Sequence, residues 1–447
     1  MKTSLKRPLL AAAASVMALT LAACGGGADD AGPPSVDLSS PAAKEGTLTI
    51  LTKFADPKYA PYFESVAEAY ETANPGVTVD LQQVGDQPYK DKIRVLSAAN
   101  ELPDIYFSWA GDFANKFVRA GLAADLTSVI GPDTEWGKTL APAATDAFQY
   151  DGKYYGVPIN LDGKYLAYNK AAFEKAGIAA PPATLEELLT ACDSLKAAGY
   201  TPIALGNQYG WPAIHYITQL NAFNVPAETL DADYNPATGA FTDPGYVTAI
   251  EQFKTISERC SEPGANGLSH EAAQAELLSG KAAMQYIESL EFKVLTADGG
   301  ASPEIADNWS FMRLPASAGA PGDKDALTGA PDGFLVNAAS ENTALAVDFL
   351  KFMTSQENAQ KIVTDLGWLS PVAGSATEEN SYPQLIETLD EMGRASRFAI
   401  WLDTVTQADV ASAYLSGVEG LLSGEKTPQQ VVESVQKAAE AAKAEAG

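Results

Sequence analysis

The chain has 447 residues, a formal net charge of −27, three cysteines and two histidines. So acidic a surface repels nucleic acid and anionic headgroups, and two histidines without close Cys/His spacing leave little for a transition-metal site, so nucleic-acid partners, metals and other cofactors are not expected. The length beyond the N-terminal leader exceeds what one hydrophobic core usually organises, and two domains are expected.

The leader comes first. Lys2, Lys6 and Arg7 form a basic head, and the apolar run from Leu9 to Ala23 is too short to span a bilayer as a stable helix. It ends in Leu21-Ala22-Ala23-Cys24, which resembles a bacterial lipobox. Residues 1–23 therefore read as a lipoprotein signal peptide, and Cys24 as the lipidated residue that anchors an exported protein to the outer face of the cell membrane. Residues 24–45 are rich in Gly, Pro, Ser and Asp and poor in large apolar side chains, the composition of a tether.

The elements then follow in order. Thr47 to Thr52 alternates as a strand, and Phe63, Val66, Ala67 and Tyr70 are spaced for the inner face of a helix. Asn74-Pro75-Gly76 stops that helix, Val77 to Leu81 alternates again, a helix turns Ile93 and Leu96 inward, and Asp104 to Phe107 is a third strand. This β-α-β-α-β start predicts an α/β fold with mainly parallel sheets and helices on both faces. Asp151-Gly152 between Tyr150 and Tyr154 predicts a tight hairpin turn. Downstream, Thr184 and Glu187 form a capping box, Pro202 to Leu205 is a short buried strand, and Asp243-Pro244 opens a helix with Val247, Ile250, Phe253 and Ile256 inward. Ala282 to Ile287 and Phe334 to Val336 supply further strands, Ser340 to Met353 a helix, and Thr427-Pro428 starts a last Ala-rich helix.

Several segments together resemble family 1 extracellular solute-binding proteins, the maltose-binding-like group. They include Leu102-Pro103-Asp104-Ile105, Ala120-Gly121-Leu122, Tyr154-Tyr155-Gly156-Val157-Pro158, Tyr168-Asn169-Lys170, Leu278-Ser279-Gly280-Lys281 and Ser423-Gly424-Glu425-Lys426. The resemblance implies a two-lobe periplasmic-binding-protein-like fold of type II, with the ligand held in a closable cleft and passed to the permease subunits of an ABC importer. It places the first lobe at 46–158 plus 312–353 and the second at 159–311 plus 354–447. A monomer is expected.

A sugar offers an apolar ring face and hydroxyls that donate and accept, so its site needs an aromatic platform and planar polar side chains. The loops after the strands carry this mixture: Lys53, Phe54 and Asp56; Trp109 and Asp112; Asp162 and Lys164 at the first crossing; Asn207, Gln208, Tyr209 and Trp211; and Asp332 beside the late strand. Packing would equally explain Phe54, Trp109 or Trp211, a helix cap Asp112, and a turn Asp162. The two histidines, His215 and His270, read as surface or capping residues. After Ala283-Met284 the chain departs from the family pattern, with Glu288 at a glycine position and Leu290 at that of a stacking tryptophan. Glu288 and Glu291 join the candidates, with Trp368, or Trp401 near Asp403, as substitute platforms.

Cys192 and Cys260 each lie on an inward stripe of a predicted helix, and in an exported chain such a pair favours a disulfide. Two other functions stay open: the same fold binding a polyamine, another cation or an organic acid, and an exported carbohydrate-active enzyme using paired carboxylates such as Asp112 and Asp162. The chain shows no Gly-x-Ser-x-Gly elbow before a helix, which weighs against a hydrolase, and no enzyme activity is expected.

Overall fold

The computed structural model describes residues 43–446; the leader, Cys24 and most of the expected tether lie outside the described residues. Nine strands form two principal sheets among those residues: β1 (Gly46–Thr52), β2 (Val77–Gln83), β3 (Ile105–Trp109), β4 (Gly156–Pro158), β5 (Lys164–Asn169), β6 (Thr201–Ala204), β7 (Ala282–Glu288), β8 (Trp309–Met312) and β9 (Asp332–Val336). The first sheet has the order β2-β1-β3-β9-β4, the second β8-β5-β7-β6.

Each sheet contains one reversed strand, and its position follows from the chain path. β5 arrives from the first sheet and runs antiparallel to both its neighbours; β9 returns from the second and does the same. All other strands within a sheet share one direction, the expected parallel character, and the reversed strand makes each sheet mixed. The consequence is functional. A reversed strand brings its first residue to the edge where its neighbours end, so Asp332 pairs with Trp109 and Lys164 with Glu288.

Local chemistry explains the elements. Tyr62, Phe63, Val66, Ala67 and Tyr70 form the buried stripe of Ala60–Ala73, and β3, buried along its whole length, reads as the nearly continuous apolar run Ile-Tyr-Phe-Ser-Trp. Thr184 accepts the Glu187 amide and caps Leu185–Ala197, while Thr427 and Gln430 exchange the reciprocal bonds of a capping box before Pro428–Ala446. Asp151 (φ 49°) and Gly152 (φ 73°) make the predicted hairpin turn. On Gly245–Cys260 the inward stripe starts at Tyr246, with Ile250, Phe253, Ile256 and Cys260 buried and Val247 at its margin. Cys192 and Cys260 are joined as a disulfide with Cα atoms 5.2 Å apart, tying two helices of the second lobe.

β5 alternates between two packed faces: Tyr165 and Ala167 join Phe292 and Phe311, while Leu166 and Tyr168 join Ile203, Met284 and Tyr286 under the helices of the second lobe. The chain passes between lobes at 159–163, where Ile159 donates to Asp332 O (2.9 Å) and Leu161 to Leu369 O (2.7 Å). The return spans 313–331, since Met312 still pairs in the second sheet and Asp332 opens the strand in the first. The last crossing comes later than residue 353. Helix Gln356–Leu366 packs beside Ala60–Ala73, tied by the Tyr62 hydroxyl donating to Asn358 O (3.2 Å) and Lys361 to Ser65 Oγ (2.8 Å), because its apolar stripe of Ala359, Ile362, Val363 and Leu366 completes the first core.

Candidate functional site

The carboxyl ends of both sheets face a cleft of about 570 Å³, where open α/β sheets place ligands. Lys53 after β1, Trp109 at the end of β3 and Asp332 at the start of β9 form the first-lobe wall. Glu288 at the end of β7, the N-terminal turns of Trp211–Asn224 and His270–Leu278, and the segment 401–404 form the second. Asp162, in the first crossing, lies between them.

The second-lobe wall is a column of rings. Trp401 stacks on His215 with centroids 4.3 Å apart, His215 meets Trp211 at 5.2 Å, and Trp211 meets His270 at 4.6 Å. Trp211 and His215 share a helix face because they are four residues apart. His270 is aimed by the Ser269 cap, whose hydroxyl accepts the Ala272 amide. Behind the column lies Lys164, with no exposed surface. Its ammonium reaches His215 Nδ1 (2.9 Å) and Glu288 Oε1 (3.2 Å) and sits 4.6 Å from the Trp211 ring centroid. An ammonium only donates, so His215 Nδ1 must accept and Nε2 carries the proton, facing Asp403 Oδ1 at 3.7 Å. Burial first, and the Lys164 charge second, keep His215 below its ordinary pKa and neutral. At the other end Glu291 binds His270 Nε2 (2.6 Å) and Gln274 (3.1 Å) and accepts the Glu288 amide (3.0 Å). Burial would raise the Glu291 carboxyl, but the charge and hydrogen bond of His270 outweigh it and hold the group down to about 2.

The first-lobe wall is arranged around Lys53. Its ammonium lies 3.4 Å from Asp332 and 3.8 Å from Asp86, and it shares the Trp109 ring with Lys90, at 4.8 and 4.9 Å from the centroid. Burial would lower the Lys53 pKa, but Asp332, Asp86 and Glu288 outweigh it and raise it. Burial pushes Asp332 up to about 6, against Lys53 and with Glu288 adding to the rise. Asp162 is 3% exposed, and its Oδ1 takes hydrogen bonds from Ser289 Oγ (2.6 Å) and the Leu290 amide (3.3 Å). Burial, then the neighbouring Glu288, drive its pKa well above the usual carboxylate range.

Of the residues expected from sequence, Lys53, Phe54, Asp56, Trp109, Asp162, Tyr209, Trp211, Glu288, Glu291, Asp332, Trp401 and Asp403 line this cleft. Phe54 does so from within the core, stacked on Phe63 at 4.7 Å. The others fall elsewhere. Trp368 has no exposed surface and is wedged among Phe54, Tyr59 and Phe63, so it supports the wall and offers no platform. Lys164 stands behind the rings because β5 is buried on both faces. Asn207 accepts the Ala213 amide (3.1 Å) and donates to Asn266 (2.9 Å), fastening the start of a helix; with Gln208 it borders a separate groove of about 270 Å³. Asp112 pairs with Arg119 at 2.6 Å and opens into a different cavity, of about 850 Å³. That cavity is larger, but four of its charged groups are closed on one another, Asp112 with Arg119 and Asp231 with Arg397. The smaller cleft holds the convergent, incompletely paired groups and is the better candidate.

His215 and His270 were expected at the surface or in caps, yet both are buried and line the cleft. Tyr59, Asp86 and Lys90 also line it. The usable signals were the i, i+4 spacing of Trp211 and His215 and the position of His270 just after a Ser cap.

Comparisons with known proteins fit this geometry. The chain is 25% identical over 337 residues to the melibiose/raffinose/stachyose-binding protein of Bacillus subtilis, covering 73% of this chain and 75% of that one. Among solved structures it resembles a chitin oligosaccharide binding protein, with a TM-score of 0.81 and 24% identity over 90% of this chain and all of the other. A structure from work on xylan utilization by Caldanaerobius polysaccharolyticus is similarly close, with a TM-score of 0.80 and 24% identity over 88% and 99% of the two chains. These likenesses show the two-lobe fold of solute receptors. With the model of the bacterial extracellular solute-binding protein family matching residues 56–360, across both sheets and the cleft between them, the chain belongs to that family.

Proposed function

We propose that this protein captures a sugar or short oligosaccharide between its lobes and delivers it to the membrane subunits of an ABC importer. The observation that carries this reading is the ring column Trp401–His215–Trp211–His270 with Asp403, Glu288 and Asp162 beside it. Flat rings suit the apolar face of a pyranose, and carboxylates accept its hydroxyl protons. The saccharide-binding relatives support the same ligand class. Binding without turnover is favoured because Asp112 and Asp162, the carboxylates a glycosidase would need on either side of one bond, open into different cavities.

The protein works at the outer face of the cell membrane as a monomer, held by a lipid on Cys24. Cys24→Ser is expected to move it from the membrane fraction to the soluble one, and unchanged fractionation would reject the anchor. The ligand class is tested by thermal shift of the mature protein against mono- and oligosaccharides, polyamines and organic acids. A saccharide at 100 times its Kd is expected to add about 2.7 kcal/mol of stability. Shifts from organic acids alone would overturn the reading.

A further inference from the structure

The hinge side of the cleft is short of positive charge. Three carboxylates, Asp162, Glu288 and Asp332, line it together; Ser289, next to Glu288, donates to Asp162, and each of the other two carboxylates disfavours ionisation of Asp162. The lysines beside them pair with two of the three, Lys53 with Asp332 as well as Asp86 and Lys164 with Glu288 as well as His215 Nδ1. Asp162 has no ion-pair partner among the described residues, and only its Oδ1 is hydrogen-bonded, by Ser289 and Leu290. Asp403, across the cleft with its side chain 9% exposed, adds a buried Oδ1 that has no hydrogen-bond partner.

We propose that the ligand is a saccharide bearing a protonated amine, with its ring against the Trp211–Trp401 column and its ammonium against Asp162 between Glu288 and Asp332. This rests on the reading of the cleft as a saccharide site. Hydroxyl groups alone would hydrogen-bond to Asp162 and leave it protonated beside Glu288 and Asp332, whereas an ammonium would let it ionise and give up that proton. An ammonium supplies the missing charge at the point where the protein supplies none. The rings make a flat amine-bearing pyranose a better occupant than a flexible polyamine, which would leave them uncovered.

The test is calorimetry of the whole mature protein with matched neutral and cationic ligands: N-acetylglucosamine oligomers, the same oligomers deacetylated, cellobiose and maltotriose as amine-free controls, and spermidine. The deacetylated oligomers are expected to bind at least tenfold more tightly than the acetylated ones near pH 6 and to release protons, seen as a dependence of the heat on the buffer's ionisation enthalpy. Asp162→Asn is expected to shrink that ratio to below about threefold. Equal or tighter binding of a neutral sugar overturns the amine while leaving sugar capture standing. Spermidine matching the best saccharide overturns the ring requirement, and with it the proposal. Binding of no saccharide at all would sink both this inference and the function it rests on.

Discussion

The two walls of the cleft are built by different means. The first-lobe wall consists of strand ends: Lys53, Trp109 and Asp332 stand at one edge of one sheet, and Lys53 and Lys90 already cover the Trp109 ring. The second-lobe wall draws its ring column from three separate segments, at 211–215, 270 and 401, and sets it over a buried ammonium. One wall presents charge over a covered aromatic; the other presents aromatics over a covered charge. We propose from this difference that ring stacking falls to the second lobe and polar anchoring to the first.

The sharpest way to break this contrast is to remove the charge beneath the rings. Lys164→Met leaves Glu288 without its cation, and breaking a buried pair in this way costs about 3–5 kcal/mol, with the low end expected because Glu288 borders the cleft. Urea unfolding would show it, and adding Glu288→Gln should recover part of the loss; a wild-type midpoint for Lys164→Met would mean the column stands without its base. Next in size are the tryptophans. Trp401→Ala removes a stacked ring from the ligand face and is expected to weaken binding about 100-fold, roughly 2.7 kcal/mol. Trp109→Ala, whose ring the lysines occupy, should cost about tenfold. The reverse order in titration calorimetry would transfer the platform to the first lobe.

The same contrast governs what could be read in advance. Lys53 and Trp109 were legible because a strand followed by a polar loop is a local pattern, and loops at carboxyl ends are where ligands sit. His215 and His270 were not, because a histidine on a helix next to apolar residues looks the same whether it faces a core or a cleft; only the distant Trp401 and Glu291 decide. Lys164 was placed in the cleft because its neighbour Asp162 is there. The alternation of a strand buried on both faces is what moved it behind the wall. Trp368, followed by Leu-Ser-Pro, fitted a platform and a core position equally well in sequence, and the late crossing keeps it in the first core. The β-α-β order and helix caps were legible because they depend on neighbours in sequence; the return through 313–331 depends on distant partners such as Gln219 and Glu391, and the packing of Gln356–Leu366 on partners about 300 residues away.

The walls also have to meet, and Gly111 marks where. It holds φ +87°, and a Cβ there would lie 2.9 Å from Val405 Cα and 3.0 Å from Thr404 O, backbone atoms of the opposite lobe. Gly111→Ala is therefore expected to hold the lobes apart while leaving each wall whole, lowering affinity about tenfold, or ~1.4 kcal/mol. Small-angle scattering should then show less compaction on adding ligand than the wild type does. Wild-type compaction and affinity would mean that the contact at Gly111 does not limit closure.

The smallest effect is a pH response that differs in sign between the walls. On the first-lobe side burial raises Asp332 to about 6, so the folded protein holds this proton more tightly than the unfolded chain does. The stability that this gives is complete below the unfolded value near 3.8 and is lost as pH rises through about 6. Asp162, shifted in the same direction, acts with the same sign. On the second-lobe side burial and Lys164 hold His215 below its ordinary 6.5. The unfolded chain binds that proton first, and stability is lost as pH falls through that value. The two contributions oppose each other between pH 5 and 7.5, so the wild-type melting temperature is a blunt probe and single variants are needed. Asp332→Asn minus wild type should gain about 1 kcal/mol of relative stability on going from about pH 5 to about pH 7.5. His215→Phe minus wild type should move the other way, gaining as pH falls. Parallel lines for wild type and both variants across that range would show that neither group feels its wall as the geometry requires.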